Sequence, residues 1–324
     1  MAVYTDVSDQ ALEDFLRLYN VGQLLWCKGI AEGVENSNYI LATDKGQYIL
    51  TLYEARVDEN DLPFFLGLMN HLAENGLETA TPIIQNDGSI YSQLCGKPAA
   101  LIEFLDGVAI KAPSNQNLFQ LGVAAAHFHL KAQSFDIKRK NGLSLEDWRP
   151  LLDSCGTDLD RVAPNVKGGL QNFLSQELDF LEKNWPQKLP DGVIHADLFP
   201  DNVFFMHGEL SGIIDFYFAC NETYAYELAI VINAWCFEKN GELNLTKSRA
   251  FFRGYQSIRK LEQTELDAMP ILCRGAAIRF LLTRLYDWIN VPEDALVIPK
   301  KPDEYIRNLG FHQKIADYKE YGIE

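Results

Sequence analysis

Short apolar runs broken by turn residues fill the first third of the chain, and apolar positions at helical spacing fill most of the rest. Ser8, Asp9 and then Leu12, Phe15, Leu16 and Tyr19 on one face predict an opening helix over 8–19. Two strand-like runs follow at 38–42 and 47–53, separated by Asp44-Lys45-Gly46, a hairpin turn signal. Pro63 suits the first turn of a helix whose apolar face is Phe65, Leu68, Met69 and Leu72, with Gly76 as its stop. Runs at 89–92 and 99–105 complete a small antiparallel sheet. After Asp106-Gly107 the period changes. Ser114 opens a helix carrying Leu118, Leu121, Ala125 and Phe128, and helical patterns recur at 144–154, 167–184, 224–238, 246–260, 264–289 and 303–318. The pattern is α+β, with a sheet-rich lobe over 1–106 and a mostly helical lobe over 107–324.

One hairpin interrupts the helical half. Apolar runs at 203–206 and 210–214 flank His207-Gly208-Glu209. Closure between Gly208 and Glu209 would set Asn202 opposite Asp215. An amide oxygen and a carboxylate would then meet at the open end, an oxygen-ligand pair suited to Mg²⁺, which keeps several waters and takes its other ligands from phosphate. Asp197, five residues before Asn202, lies on the entering loop, where it could receive a proton from a hydroxyl. A lone His-x-Asp is common by chance, and Asp before Phe at a strand end is often a cap. Their joint order and spacing point instead to phosphoryl transfer.

The set His195-x-Asp197-x4-Asn202 with Ile214-Asp215-Phe216 resembles the catalytic loop and metal-binding Asp of the two-lobed protein-kinase-like fold. Ala196 stands where protein kinases carry Arg, Tyr217 where they carry Gly, and no Ala-Pro-Glu element follows. These departures match the aminoglycoside phosphotransferase and choline kinase branch. Within it, 184–205, 35–39 and 48–54 are similar to the homoserine kinases. The resemblance implies ATP and Mg²⁺ as cofactors, Asp197 as the proton acceptor, Asn202 and Asp215 as metal ligands, and His195 as a brace for the loop. It implies that Gly33, Asn36, Ser37 and Asn38 form the phosphate loop, and that adenine rests near Ile49 and the backbone of Glu103 to Leu105. The phosphate-holding Lys of that fold aligns with Thr51, which has no charge. Lys28, Lys45 and Arg56 are the candidate replacements.

The implied acceptor is a small molecule, L-homoserine, as in threonine biosynthesis. Its carboxylate calls for an Arg, and Arg279, Arg284 and Tyr217 are the candidate contacts. Tyr217, Tyr224, Trp235 and Trp288 could instead cage a quaternary ammonium, which would favour choline, and a choline or ethanolamine kinase is the first alternative. An aminoglycoside kinase and an inactive nucleotide-binding protein are further alternatives. The net charge of −16 disfavours nucleic acid and anionic membranes as partners. Six scattered cysteines without a Cys-x-x-Cys pair suggest buried thiols in a reducing compartment. With no basic, apolar leader and no membrane-length apolar run, the expected location is cytoplasmic. Nothing in the sequence indicates the oligomeric state.

Overall fold

The computed structural model describes residues 5–30, 36–54, 57–157, 159–291 and 299–324. Helix α1 (Asp9–Leu16) starts where Ser8 accepts a hydrogen bond from the N–H of Ala11. It covers one face of an antiparallel sheet built from β1 (Leu24–Gly29), β2 (Ser37–Thr43), β3 (Gln47–Leu52), β4 (Ser92–Leu94) and β5 (Lys97–Glu103), in the order β1-β2-β3-β5-β4. That face is lined by Tyr39, Leu41, Leu50, Leu52 and Leu101 against Leu12, Phe15 and Leu16. Alternation sends Ile49 and Ile102 to the other face, where they join the main core with α2 (Leu62–Glu74). The sequence pattern misses β1, whose residues are mostly exposed, and places β4 and β5 a few residues away from their true positions.

The short strand β6 (Val108–Ala109) pairs with β8 (Val203–Met206), which pairs with β9 (Glu209–Ile213), forming a second sheet of three strands. A third pairing joins β7 (Asp191–Ile194) to β10 (Cys220–Thr223). Around these lie α3 (Asn115–Lys131), α4 (Leu145–Ser154), α5 (Leu170–Asn184), α6 (Tyr224–Trp235), α7 (Leu245–Ile258), α8 (Gln263–Ile289) and α9 (Asp303–His312). Helix α6 is buried almost throughout, which is why its apolar residues show no single stripe.

The β8–β9 register differs from the sequence expectation. The turn is His207-Gly208, with φ of 54° and 88°, the left-handed pair of a two-residue hairpin turn. Glycine takes such a φ without strain, whereas His207 is held there by the turn. Met206 therefore faces Glu209, and an irregularity between Phe204 and Phe205 then sets Val203 opposite Ile213. Asn202 pairs with Ile214, whose N–H donates to its carbonyl at 3.0 Å, and Asp215 lies one residue beyond. The segment leading from α2 towards β4 runs along the outer edge of β9. There the Ile213 N–H donates to the Glu78 carbonyl and the Thr79 hydroxyl to the Ile213 carbonyl. A side chain at Gly212 would crowd Leu105 and the Glu78 carbonyl, so this close approach favours glycine.

No described helix is long and apolar enough to cross a membrane. All six cysteines are free thiols. Four are buried, but Cys27 and Cys95 are exposed, contrary to the expectation that all would be buried.

Candidate active site

Strand β7 delivers its chain into a loop fixed at each successive residue. The backbone N–H groups of His195 and Ala196 both donate to one carboxylate oxygen of Glu227, in the first turn of α6. The Ala196 carbonyl accepts from the Arg279 guanidinium at 2.9 Å. The Leu198 carbonyl accepts from the Trp235 indole at 2.8 Å. His195 reaches across to the Ile214 carbonyl with Nε2 at 2.9 Å, and the Asp197 N–H approaches its Nδ1 at 3.3 Å. Since a carbonyl only accepts and an N–H only donates, the proton of His195 sits on Nε2. Burial pushes the imidazole pKa down to about 4, so the ring is neutral. His195 thus joins the loop to β9 and leaves no polar atom for substrate.

These ties hold Ala196 at φ 60°, and Asp215 sits at φ 65°. Left-handed backbone at non-glycine residues costs free energy and persists where surrounding bonds over-determine it. Asp197 is about one-fifth exposed, with Oδ1 3.8 Å from Arg279. The Asn202 amide donates to Asp197 twice, to its carbonyl at 2.8 Å and its carboxylate at 3.0 Å. Burial raises the Asp197 pKa, while Arg279, Asn202 and Lys300 pull against it. With its amide nitrogen committed, the side-chain oxygen of Asn202 accepts no hydrogen bond from the described residues. It lies one residue off the exposed Asp215 in the ladder. No group of three His, Cys, Asp or Glu side chains poised for a metal exists among the described residues. One carboxylate and one amide oxygen nevertheless fit Mg²⁺, which needs few protein ligands when phosphates and waters supply the rest.

The sheet side contrasts with this. Gly33 and Arg56 lie outside the described residues. Asn36 and Ser37, expected to face phosphate, turn inward to Glu54: the Ser37 hydroxyl donates to the Glu54 carboxylate at 2.7 Å, and the Glu54 backbone N–H donates to the Asn36 side-chain oxygen at 3.3 Å. Burial would raise the Glu54 pKa, but hydrogen bonds from Thr5 and Ser37 and the nearby Lys97 hold it below the usual range. Thr51 is buried, and its hydroxyl donates to Asn38 at 2.8 Å. Lys45 is spent closing the β2–β3 turn onto Asn20. Lys28 faces Ile40, which faces Ile49, which faces Ile102, so the three isoleucines and Lys28 form one cross-strand row on the face away from α1. Glu103 ends β5 with its N–H bonded to Thr81, and the Leu105 N–H meets no acceptor among the described residues.

The expected acceptor contacts divide differently. Arg279 is buried, clasps Ala196 and lies over Phe280 at 3.9 Å, so it positions the loop and does not reach open solvent. Tyr217 packs edge-on against Tyr53 and Phe65, with its hydroxyl 3.2 Å from that of Tyr53. Arg284 pairs with Glu304 beside an open cleft. Tyr224 stacks on His129 and Trp235 is in the core, so neither belongs to an aromatic cage. Sequence reasoning missed Glu227. An acidic residue inside an otherwise apolar helical run was the available signal, because such a group is buried only with donors aimed at it.

Residues 26–261 match the model of the phosphotransferase enzyme family. The homoserine kinase of Brucella anthropi is 53% identical over 324 residues, spanning 100% of this chain and 98% of that protein. That of Azorhizobium caulinodans is 53% identical over 323 residues, spanning 100% and 99%. Among solved structures, an amicoumacin kinase bound to AMP-PNP and Ca²⁺ superposes with a TM-score of 0.70 at 17% identity, covering 95% of this chain and 92% of that one. Choline kinase from Cryptosporidium parvum gives 0.66 at 13% identity, with 95% of each chain covered. The fold is thus protein-kinase-like, and the chain belongs to the phosphotransferase enzyme family, among its homoserine kinases.

Proposed function

We propose that this chain transfers the γ-phosphoryl group of ATP to the hydroxyl of L-homoserine, giving O-phospho-L-homoserine and ADP in threonine biosynthesis in the cytoplasm. The observation that carries the reaction class is the clamped Asp197, held by Asn202 on one side and Arg279 on the other. The full-length likeness to homoserine kinases carries the acceptor.

Asp197 orients the hydroxyl and takes its proton as the oxygen–phosphorus bond forms and the bridging bond to ADP breaks. Asn202, through its free side-chain oxygen, and Asp215 would hold Mg²⁺, which neutralises phosphate charge when bound. The isoleucine row of the sheet covers the adenine, and the free N–H of Leu105 donates to its edge. Lys28, on the same row and exposed, supplies the positive charge that Thr51 lacks. Its stem can lie along Ile40 while the ammonium reaches forward.

A panel of alcohols tests this reading: L-homoserine, choline, ethanolamine and an aminoglycoside, each with MgATP and purified protein. L-homoserine should exceed the others by orders of magnitude in kcat/KM. A better rate with choline or an aminoglycoside would overturn the acceptor, and no transfer to any alcohol would overturn the kinase.

A further inference from the structure

Next to the catalytic loop lies an open cleft of about 410 Å³ lined by Arg284, Lys300, Lys301, Asp303, Glu304 and Arg307. Four of its six side chains are cationic, in a chain with 29 Lys and Arg against 45 Asp and Glu. Such a reversal of sign within one concavity focuses potential on anions. The cleft is tied to the chemistry by its own residues. Lys300 bonds Asp201 of the catalytic loop at 3.1 Å and lies 5.9 Å from the Phe199 ring centre. Phe199 packs on Phe280, and Phe280 on Tyr305, over which Arg284 lies at 4.4 Å. The Lys300 charge also acts on the Asp197 carboxylate.

The scale also fits an amino-acid alcohol. Arg279, at Asp197, and Arg284, at the cleft, are five residues apart on α8, or about 7.5 Å of helix rise. The hydroxyl and carboxyl carbon of homoserine are roughly 5 Å apart when extended, from bonds of about 1.5 Å. An acceptor whose hydroxyl is at Asp197 is thus long enough to extend its head group towards Lys300, which reaches from the cleft to Asp201 of the same loop. Of the two cations nearest the loop, Lys300 is the one left largely unquenched. Arg284 is fixed by Glu304, whereas Lys300 is 63% exposed in its pair with Asp201, and so weakly engaged that it can turn to a better partner. Helix α9 begins here with no side-chain cap, which adds its positive end to the field.

We propose that this cleft is the acceptor's head-group subsite, with Lys300 and Arg284 pairing the α-carboxylate and Asp303 facing the ammonium. The inference rests on the homoserine reading and deepens it. It assigns specificity to residues outside the catalytic loop.

The test compares L-homoserine with 3-aminopropan-1-ol, the same alcohol and amine without the carboxylate. Wild-type protein should use homoserine at least 100-fold better in kcat/KM. Failure of that arm alone, with another alcohol preferred, would remove the homoserine reading. In Lys300→Gln, kcat/KM for homoserine should fall about 30-fold or more through KM. The loss with 3-aminopropan-1-ol should be at least tenfold smaller, the KM for ATP should stay within about 2-fold, and Lys300→Arg should restore much of the loss with homoserine. If homoserine is the preferred substrate of wild type and Lys300→Gln together with Arg284→Gln keep the full preference over 3-aminopropan-1-ol, the subsite is wrong. A parallel loss with both alcohols would equally contradict it, because it would mark a structural role shared by all acceptors.

Discussion

The loop and hairpin from His195 to Phe216 and the sheet residues from Asn36 to Glu54 adjoin where Tyr53 packs against Tyr217, yet they are built on opposite plans. In the first, the backbone is bolted from four directions by Glu227, Arg279, Trp235 and His195, and the side chains of Asp197 and Asn202 are left to face the reaction. In the second, Asn36, Ser37, Asn38 and Thr51 spend their side chains on one another and on Glu54. Proton transfer tolerates little misplacement, so its residues need fixed supports. Phosphate binding can rely on backbone groups and a flexible cation, so polar side chains near it are free to hold the sheet together.

The contrast can be broken in a graded way. The largest effect is expected from Asp215→Ala, which should cut turnover by about 1000-fold at low Mg²⁺ and shift the Mg²⁺ dependence upward, measured by ADP release across a metal titration. An unchanged Mg²⁺ dependence would move the metal elsewhere. Next is Arg279→Met. Arg279 pulls the Asp197 pKa down, so its loss should raise that pKa further. Activity, which needs the ionised carboxylate, should then disappear at higher pH on the acid side, with kcat lower by about tenfold or more, and Arg279→Lys should recover part of the profile. An acid limb that does not move would leave Arg279 with no electrostatic part in the reaction.

Lys28→Met should act more mildly and from the sheet, raising the KM for ATP by about 3- to 10-fold with little change in kcat at saturation. A fall confined to kcat would remove Lys28 from ground-state phosphate binding. The smallest effect concerns stability. Burial pushes Glu227 from an ordinary 4.5 up to about 7, so between those values the folded state binds more protons than the unfolded chain. Stability from this group is therefore full below 4.5 and is lost as pH rises through 7, by up to about 3 kcal/mol. Urea melts of wild type and Glu227→Gln across this range should show the wild type losing ground with rising pH, and parallel curves would contradict the burial account.

These two plans also explain what could be read from the sequence. Asp197, Asn202 and Asp215 stand close together on one loop and hairpin, so their order and spacing single them out as candidates. The hairpin register missed by one residue because the turn uses His207 at a left-handed φ and the ladder carries an irregularity, neither of which alternation encodes. Glu227 and Trp235 support the loop from a helix about 30 residues away, and Lys300 joins it from about 100 residues away. Such contacts exist only once α6, α8 and the loop are packed. Thr51 was visible as a missing charge, but that Asn38 would occupy its hydroxyl follows from strand pairing, not from composition.

The mechanism turns most on Asp197 serving the hydroxyl and not the nucleotide. Rapid-quench turnover and equilibrium ATP binding of Asp197→Asn test it together. Asn keeps the shape and can still bond Asn202, but it cannot take a proton. The account predicts a phosphoryl-transfer rate lower by about 100-fold or more, with ATP affinity within about 3-fold of wild type. A near wild-type rate, or a loss that comes entirely from weaker ATP binding, would contradict it.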